Sequence, residues 1–210
     1  MISLQTGQLS STQCKIELEE YKELLNKYSE IDETTLQDFF IKRPQLILLM
    51  GRVVGIDAPR KYNNELPIIN KYRADFVVAD QSQSIFSFIE FEDAKNNSIF
   101  NKNINKKTST YPWANRFEHG YSQVVDWYIH LASNIQTQNM KSEFGSFSIK
   151  YFGALIIGRN SSLQHGDCRE RFDHRISKSL IDSKHITCYT FDELYDAMED
   201  QYAILSSFGT

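Results

Sequence analysis

The sequence predicts a mixed α/β fold in which helices pack on a central mixed β-sheet. Segments with helical periodicity alternate along the 210-residue chain with short apolar runs that resemble strands. Hydrophobic residues make up 41% of the chain and aromatic residues 13%, enough apolar surface for a core and too much for a disordered chain. We detect no internal repeat. These features indicate one globular α/β domain.

The N-terminal region is predicted to form two helices. Residues 13–28 carry apolar side chains at helical spacing, with acids and lysines between them, so residues 1–30 are interpreted as an N-terminal helical extension. Asp32 is a suitable N-cap for a second helix. That helix is expected to end near Arg43, because Pro44 disfavours helical geometry in the residue before it.

The next segment is predicted to contain the first three strands. Residues 53–56 predict a strand, and residues 57–72, which include prolines and asparagines, predict a loop that covers part of the sheet. Residues 74–79 and 85–92 are apolar, β-like runs separated by a short polar turn. These two runs are expected to pair as a hairpin.

The second half of the chain alternates between helix and strand. Residues 95–110 are rich in asparagine and lysine and predict a basic, polar loop. Residues 114–133 return to helical periodicity, and residues 149–157 form an apolar run typical of a buried strand. The remaining predicted elements are a helix at 168–181, a strand at 186–189 and a helix at 191–204.

Charge is unevenly distributed along the chain. The net charge is −4, but residues 1–40 hold 3 basic and 8 acidic residues, and residues 186–210 hold 0 and 5. The central part, 41–185, therefore carries 20 basic against 14 acidic residues. A basic centre is where a polyanion such as DNA would bind.

Localisation is expected to be cytoplasmic. Cys14, Cys168 and Cys188 are odd in number and lack CxxC spacing, which favours reduced thiols. The N-terminus lacks the pattern of a signal peptide, and no apolar run approaches the roughly 20 residues of a membrane span.

Three acidic residues mark the predicted site. Glu90 and Glu92 point to the same face of one strand, and Asp75 on the preceding strand falls opposite them in a hairpin. Carboxylates on such apolar strands lose solvation that only a partner can replace. Hard oxygen ligands of this kind favour Mg²⁺ or Mn²⁺. The alternative is a set of solvated strand-end acids, salt-bridged to Arg73 or Lys71.

The order of these residues resembles the PD-(D/E)XK nuclease superfamily: an Asp on one strand, Glu-x-Glu or Glu-x-Lys on the next, and a Gln on a later helix. More narrowly, residues 88–94 (FIEFEDA) followed by 121–127 (YSQVVDW) resemble the Shedu-type nuclease domain. Further segments match the same pattern in order: 35–40 (TLQDFF), 152–159 (FGALIIGR) and 188–194 (CYTFDEL). The resemblance spans about residues 33–198 and implies a restriction-endonuclease-like core within a domain over 31–205.

The resemblance also implies roles for individual residues. Asp75 and Glu90 would be metal ligands together with Glu92, and Gln123 would orient a water or the scissile phosphate. Glu92 departs from the many members that carry lysine there; glutamate can accept a proton from a metal-bound water but cannot stabilise negative charge. Lys95 could supply that cation.

A helix-borne acid near the metal is implied as well. Glu33 is the best match for it, with Asp38 the alternative. His119, one turn before Gln123, is interpreted as a helix-surface histidine that could touch phosphate, and Trp127 as core. A zinc site at 165–168 is rejected, because no second ligand pair exists at metal spacing.

The activity implied by the resemblance is metal-dependent DNA cleavage in prokaryotic defence against phage, by a protein that forms homo-oligomers. Tyr111, Trp113 and Arg116 either stack on bases or form a lid packed on the core. Arg175 belongs to a helical basic group that is either a DNA-contacting stripe or a solvated face. The predicted phosphate contacts are Lys102, Lys106, Lys107, Arg159, Arg169 and Arg171.

Two alternatives from other functional classes remain open at this point. The first is the same fold with impaired chemistry, acting as a nucleic-acid-binding or sensor module, which Glu92 and the pI of about 5.8 favour. The second is an interaction protein that assembles through its acidic N-terminal helix, with purely structural carboxylates.

Overall fold

A single six-stranded sheet forms the centre of the computed structural model, which describes residues 2–207. Its strands are β1 (Gln5–Thr6), β2 (Pro59–Ile68), β3 (Tyr72–Asp80), β4 (Ile85–Phe91), β5 (Lys150–Ile156) and β6 (Ile186–Tyr189). Strands that follow one another in the chain are neighbours in the sheet. The pairs from β1 to β4 are antiparallel, whereas β4, β5 and β6 are parallel. The predicted mixed sheet is confirmed.

Helices cover both faces of this sheet. They are α1 (Ser11–Lys27), α2 (Glu33–Ile41), α3 (Pro44–Val53), α4 (Asn115–Ser133), α5 (Gln138–Phe144), α6 (Cys168–Lys178) and α7 (Phe191–Ser207). Buried side chains of α1, α2, α3 and α7 share one core with the sheet, and those of α4, α5 and α6 share the other. This arrangement is consistent with a restriction-endonuclease-like core.

The alternation of side chains along β4 separates the two cores. Phe86 and Phe88 pack on the side of α4, while Ile89 and Phe91 pack on the side of α2 and α3. All four side chains are fully buried. The carboxylate of Glu90 is therefore directed toward α4.

The predicted strand at residues 53–56 is wrong, because α3 ends at Val53 and the residues that follow form a turn. Pro44 begins that helix, where its missing N–H is not needed. Glu17 of α1 accepts hydrogen bonds from the N–H groups of Gln45 (2.9 Å) and Leu46 (3.1 Å), which cap the helix from outside. The apolar run forms a helix that is buried between the sheet, α1 and α7.

The predicted loop at residues 57–72 is also wrong for most of its length. Its centre forms β2, the longest strand of the sheet in the described part of the chain. The short β1 covers β2 only at Lys61 and Tyr62, so most of β2 behaves as an edge strand. Edge positions accept the proline at its start and the polar side chains of Asn63 and Asn64.

The short elements α5 and β1 lie outside the sequence predictions. The helix α5 begins after Thr137, whose hydroxyl accepts from the N–H of Met140, and ends at Gly145 with a φ of 77°. Strand β1 comprises two residues. Elements this short carry too little periodicity to be detected from sequence.

The other predicted elements are confirmed. Asp32 caps α2 by accepting from the N–H of Thr35 at 2.9 Å. The hairpin of β3 and β4 pairs Phe76 with Ile89. Its turn is closed by the carboxylate of Asp80, which accepts from the backbone N–H of Ser84 at 2.8 Å.

The N-terminal helix α1 packs on α3 and α7. Tyr21 is fully buried, and its hydroxyl donates to the carbonyl of Phe191 at 2.8 Å. The cysteines Cys14, Cys168 and Cys188 are free and buried. None of the helices in residues 2–207 combines the length and apolar character that crossing a membrane requires.

Candidate active site

Asp75 lies where β3 and β4 separate. The ladder between these strands ends at Phe76 and Ile89, and the next N–H of β4 that faces β3 belongs to Phe91. The carboxylate of Asp75 accepts that N–H at 2.7 Å. Its other oxygen accepts from the side-chain amide of Gln37 on α2 at 2.8 Å. A side chain thus takes the place of a backbone acceptor and ties the strand end to α2.

Glu90 and Glu92 both face α4, as the alternation along β4 predicts. The amide of Gln123 donates to the carboxylate of Glu90. Glu92 follows the last residue of β4, is 2% exposed, and its N–H donates to the carbonyl of Ile156 at 2.9 Å. A Cβ on Gly120 of α4 would lie 3.0 Å from Cγ of Glu92. The helix can therefore approach the strand end this closely because residue 120 has no side chain.

Arg116 connects the two helical layers across the strand ends. Its guanidinium donates to Glu92 at 2.8 Å and to Glu33 of α2 at 3.1 Å. The ring of His119 contacts the other carboxylate oxygen of Glu92, with Nδ1 at 3.0 Å. His119 is 65% exposed on the helix surface, as predicted, and it also touches the acidic cluster formed by Asp75, Glu90, Glu92 and Glu33. Arg116, which the sequence analysis assigned to base stacking or a lid, lies within the cluster.

The residue spacing along α4 could have predicted that Arg116, His119 and Gln123 approach the acids together. Residues 116, 119, 120 and 123 recur at helical spacing and share one helix face. The contact of Gln37 had a weaker signal, because Gln37 follows Glu33 by one helical turn. Both signals depend on two helices from opposite layers meeting at one strand end, and spacing within a single helix does not show which layers meet.

Burial and like charge dominate the electrostatics of the site. Burial raises the pKa of Asp75 to about 6, despite the hydrogen bonds from Phe91 and Gln37. Burial, followed by the charges of Asp75, Glu92 and Glu33, raises the pKa of Glu90 to about 10. The pKa of Glu33 is raised as well, first by burial and then by Glu92. The cluster lacks enough positive charge for its carboxylates.

A fully formed metal site is not present in the described part of the chain. Within residues 2–207, no three His, Cys, Asp or Glu side chains are arranged so that they could hold a metal ion. Glu92 is directed to Arg116 and His119 instead. Asp75 and Glu90 nevertheless suit a hard divalent cation, because two desolvated carboxylates with raised pKa values lie at adjoining strand ends. The metal stays a prediction that rests on this pair.

Residues 30–195 match the family model of the Shedu protein SduA C-terminal region. This match covers more than half of the chain, including both strands and both helices that form the cluster. The chain belongs to this Shedu family. No curated protein matches the chain. Membership confirms the resemblance to the Shedu-type domain and indicates a role in a Shedu defence system.

Lys95 of this Shedu domain pairs with Asp93 rather than with Asp75, Glu90 or Glu92. Its Nζ lies 2.8 Å from Asp93, which is largely buried, while Lys95 is partly exposed. Asp93 also accepts from the hydroxyl of Ser98. The cation next to Glu92 is therefore Arg116, which comes from a different element than the sequence predicted.

The predicted phosphate contacts fall into two groups. Lys106 and Lys107 are exposed in the loop before α4. Lys102 is exposed too and lies 3.6 Å from Glu30, a loose pair that water screens. These three lysines remain available to an anionic ligand.

The arginines are engaged within the fold. Arg159 is the clearest case, because its guanidinium donates to Asp192 (2.8 Å) and to the carbonyls of Leu25 (3.0 Å) and Tyr28 (2.7 Å). These contacts indicate that Arg159 stabilises the fold rather than binding phosphate. Arg169 pairs with Glu193, and Arg171 donates to the carbonyl of Tyr111 at 2.7 Å.

The remaining residues singled out in the sequence lie outside the acidic cluster. Asp38 lines a separate surface groove with Thr35 and Lys42, so Glu33 is the acid that α2 brings to the cluster. Trp127 is 1% exposed and belongs to the core, as predicted. Trp113 stacks on Phe100 at 4.3 Å and forms a lid. The helical basic residue Arg175 pairs with Glu118 at 2.6 Å.

Proposed function

We propose that this Shedu domain is a metal-dependent DNA endonuclease that hydrolyses phosphodiester bonds in anti-phage defence. The observation that carries the proposal is the place of Asp75, whose carboxylate accepts from the N–H of Phe91, the residue after Glu90; both carboxylates are desolvated, and the charge of Asp75 helps to raise the pKa of Glu90. Such perturbed acids are typical of functional sites. We further propose that the enzyme acts in the cytoplasm as a homo-oligomer.

Asp75 and Glu90 would hold Mg²⁺ or Mn²⁺, with the remaining ligands from water and DNA. When bound, such an ion polarises the phosphodiester and lowers the pKa of an attacking water. Gln123 holds one oxygen of Glu90 and thereby orients the carboxylate. The amide of Gln37 does the same for Asp75 at 2.8 Å.

Arg116 and Glu92 would act on the reacting phosphate as a pair. The side chain of Arg116 is 45% exposed, so it can reach a substrate while it remains bound to Glu92. A cation in that place stabilises negative charge that develops on phosphorus. Glu92, His119 and Glu33 hold Arg116 and its surroundings in position. Arg116 would thus supply the charge that a lysine at position 92 supplies in related nucleases.

A cleavage assay tests the proposal. Supercoiled plasmid and linear DNA are incubated with the full chain and Mg²⁺ or Mn²⁺, and nicked and cut products are quantified. We expect Asp75→Asn and Glu90→Gln to lower the rate by at least about a hundredfold. Glu65→Gln, which changes an exposed acid paired with Arg73, should retain the rate. Equal activity of all four proteins would overturn the proposal.

A binding module with impaired chemistry is the second candidate. The contacts of Glu92 with Arg116 and His119 favour it, because they use a predicted metal ligand internally. Thermal unfolding separates the two candidates: a nuclease site should show a rise in Tm with Mg²⁺ or Mn²⁺ that Asp75→Asn abolishes. In a purely structural interaction protein, Glu90→Ala would leave the biological function intact.

A further inference from the structure

A concave surface lies between the loop that follows β4 and the segment around residues 161–168. Its volume is about 430 Å³, within the range of cavities that bind small organic ligands. One side is formed by residues of the loop that begins after Glu92: Asn96, Phe100, Asn101 and Lys102. Asn96 comes four residues after Glu92, so their Cα atoms are at most about 14 Å apart. A ligand in this cavity would therefore lie close to the proposed reaction site.

The walls of the cavity are fixed by backbone hydrogen bonds. The N–H of Asn101 donates to the carbonyl of Pro112 at 2.9 Å, and the N–H of Ala114 donates to the carbonyl of Ile99 at 2.9 Å. These bonds join the segments 99–101 and 112–114 and thereby fix the adjoining Phe100 and Tyr111. Phe100 is buried, and Arg171 and Trp113 pack against its ring.

Aromatic and amide side chains line the cavity. The ring of Tyr111 is half-buried and lies 5.7 Å from the ring of His165, so an aromatic surface faces the space. The hydroxyl of Ser161 donates to the side-chain Oδ1 of Asn96, which leaves the side-chain Nδ2 of Asn96 as a donor. In the described part of the chain, the side-chain amide of Gln164 makes no hydrogen bond, and Gln164 is exposed at the rim.

This combination matches the chemistry of a nucleobase. Aromatic rings stack on the face of any base, and amide groups hydrogen-bond its edge. The lining within residues 2–207 contains no acidic residue, and Lys102 stands at the rim in only a loose pair with Glu30. A base with its phosphate would thus meet stacking, hydrogen bonding and positive charge in one place.

We propose that this cavity binds one nucleobase, with Tyr111 as the stacking surface and Gln164 and Asn96 as edge contacts. The proposal rests on the proposed function in taking the base from a DNA strand that passes the carboxylate cluster. The base would then help to position the strand for cleavage. A free nucleotide offers the same chemistry, and the experiment below distinguishes the two sources.

The test measures binding without cleavage, in EDTA, with the full chain. Deoxynucleoside 5′-monophosphates are compared with deoxyribose 5-phosphate, which lacks the base, by NMR titration. A single-stranded oligonucleotide is compared with the same strand carrying one abasic position, by fluorescence anisotropy. We expect the base-containing ligands to bind, and Tyr111→Ala to weaken binding about tenfold. Tyr111→Phe should retain the affinity, because its ring still stacks.

Two further variants keep the test decisive. Gln164→Ala alters an exposed side chain that makes no internal bond, so it tests the cavity without risk to folding, and we expect a loss of affinity of about threefold or more. Tyr202→Ala on α7 is the matched control in the opposite helical layer and should bind normally.

The outcomes separate this inference from the nuclease proposal. Weaker oligonucleotide binding by Tyr111→Ala supports a strand-derived base, and an effect on mononucleotides alone supports a free nucleotide as the ligand. If neither ligand responds to Tyr111→Ala and Gln164→Ala, the cavity is not a base site, even if the plasmid is cut. If binding responds but no metal-dependent cleavage occurs, only the nuclease proposal fails.

Discussion

Arg116 donates a hydrogen bond to Glu92 across 2.8 Å, from a helix on one side of the sheet to the end of the central strand. Glu92 is 2% exposed, whereas the Arg116 side chain is 45% exposed. The buried carboxylate of Glu92 depends on the exposed Arg116 for compensating positive charge, because the other ionisable groups around Glu92 are acids and one histidine. This single contact compensates charge that burial makes unfavourable.

Arg116→Met should therefore destabilise the protein more than loss of a surface ion pair does. We expect the free energy of unfolding at pH 7 to fall by about 1–3 kcal/mol, because Glu92 loses its cation while it stays buried. Urea denaturation measures this. Arg73→Met is the matched control: its pair with Glu65 is exposed, and its loss should cost about 0.5 kcal/mol or less. Equal losses for the two variants would contradict the role given to Arg116.

A double variant sharpens the interpretation. Adding Glu92→Gln to Arg116→Met removes the charge that the first change leaves uncompensated. The double variant should recover most of the lost stability, which gives a coupling energy of about 1 kcal/mol or more in a double-mutant cycle. Additive effects would show that Arg116 stabilises by packing alone.

Glu90→Gln should stabilise the protein increasingly as the pH rises. The pKa of Glu90 is raised from 4.5 to about 10 in the folded state, so the folded protein binds the proton more tightly than the unfolded chain does. The stability from this group is therefore present below about pH 4.5 and is lost as the pH rises toward 10. Gln keeps the shape and the contact with Gln123 but does not ionise.

We accordingly expect the stability difference between Glu90→Gln and the wild type to grow by about 2–4 kcal/mol from about pH 5 to about pH 8. Urea denaturation at intermediate pH values measures it in EDTA. Glu65→Gln on the exposed surface should show a flat difference over the same range. A flat difference for Glu90→Gln as well would show that Glu90 is solvated in the folded protein.

Gly120→Ala should destabilise the site although alanine favours helices. The added Cβ would lie 2.6 Å from Cδ1 of Leu155 and 3.0 Å from Cγ of Glu92, so α4 must move away from the strand. We expect a loss of about 1–3 kcal/mol, against a gain of about 1 kcal/mol for the same change at an open helix position. Ser122→Ala, exposed on the same helix, is the control. A gain in stability for Gly120→Ala would refute the close approach.

The sequence predicted the positions of the acids well and the positive charges poorly. Asp75 and Glu90 could be paired in advance, because side chains alternate along strands and the turn at Asp80 is short. Arg116 was missed as a partner of Glu92 because 24 residues separate them, and their contact depends on how α4 packs on the sheet. Lys95 seemed the nearer cation in sequence, yet it pairs with Asp93.

The errors in the fold have a similar origin. Residues 53–56 were predicted as a strand, although Val53 ends α3 and a turn follows, because a short apolar run does not show whether a helix end or a strand will form. Glu17 of α1 stabilises the helical form by capping the N-terminus of α3, a contact that the local sequence does not show. The polar strand β2 was predicted as a loop, because edge strands tolerate residues such as Asn63 and Asn64. Tertiary contacts, rather than local patterns, set these elements.

Arg159 and the loop lysines should separate stability from DNA binding. Arg159→Lys should lower the free energy of unfolding by about 2 kcal/mol, because the single ammonium of lysine cannot reproduce the contacts of the guanidinium with Asp192 and two carbonyls. The DNA affinity of the folded variant should be unchanged.

The double change of Lys106 and Lys107 to Ala should leave stability unchanged. If these lysines contact phosphate, the double substitution should also reduce the slope of log DNA affinity against log salt concentration by about 1–2, as measured by fluorescence anisotropy. The opposite pattern would place the phosphate contacts at Arg159 and not in the loop.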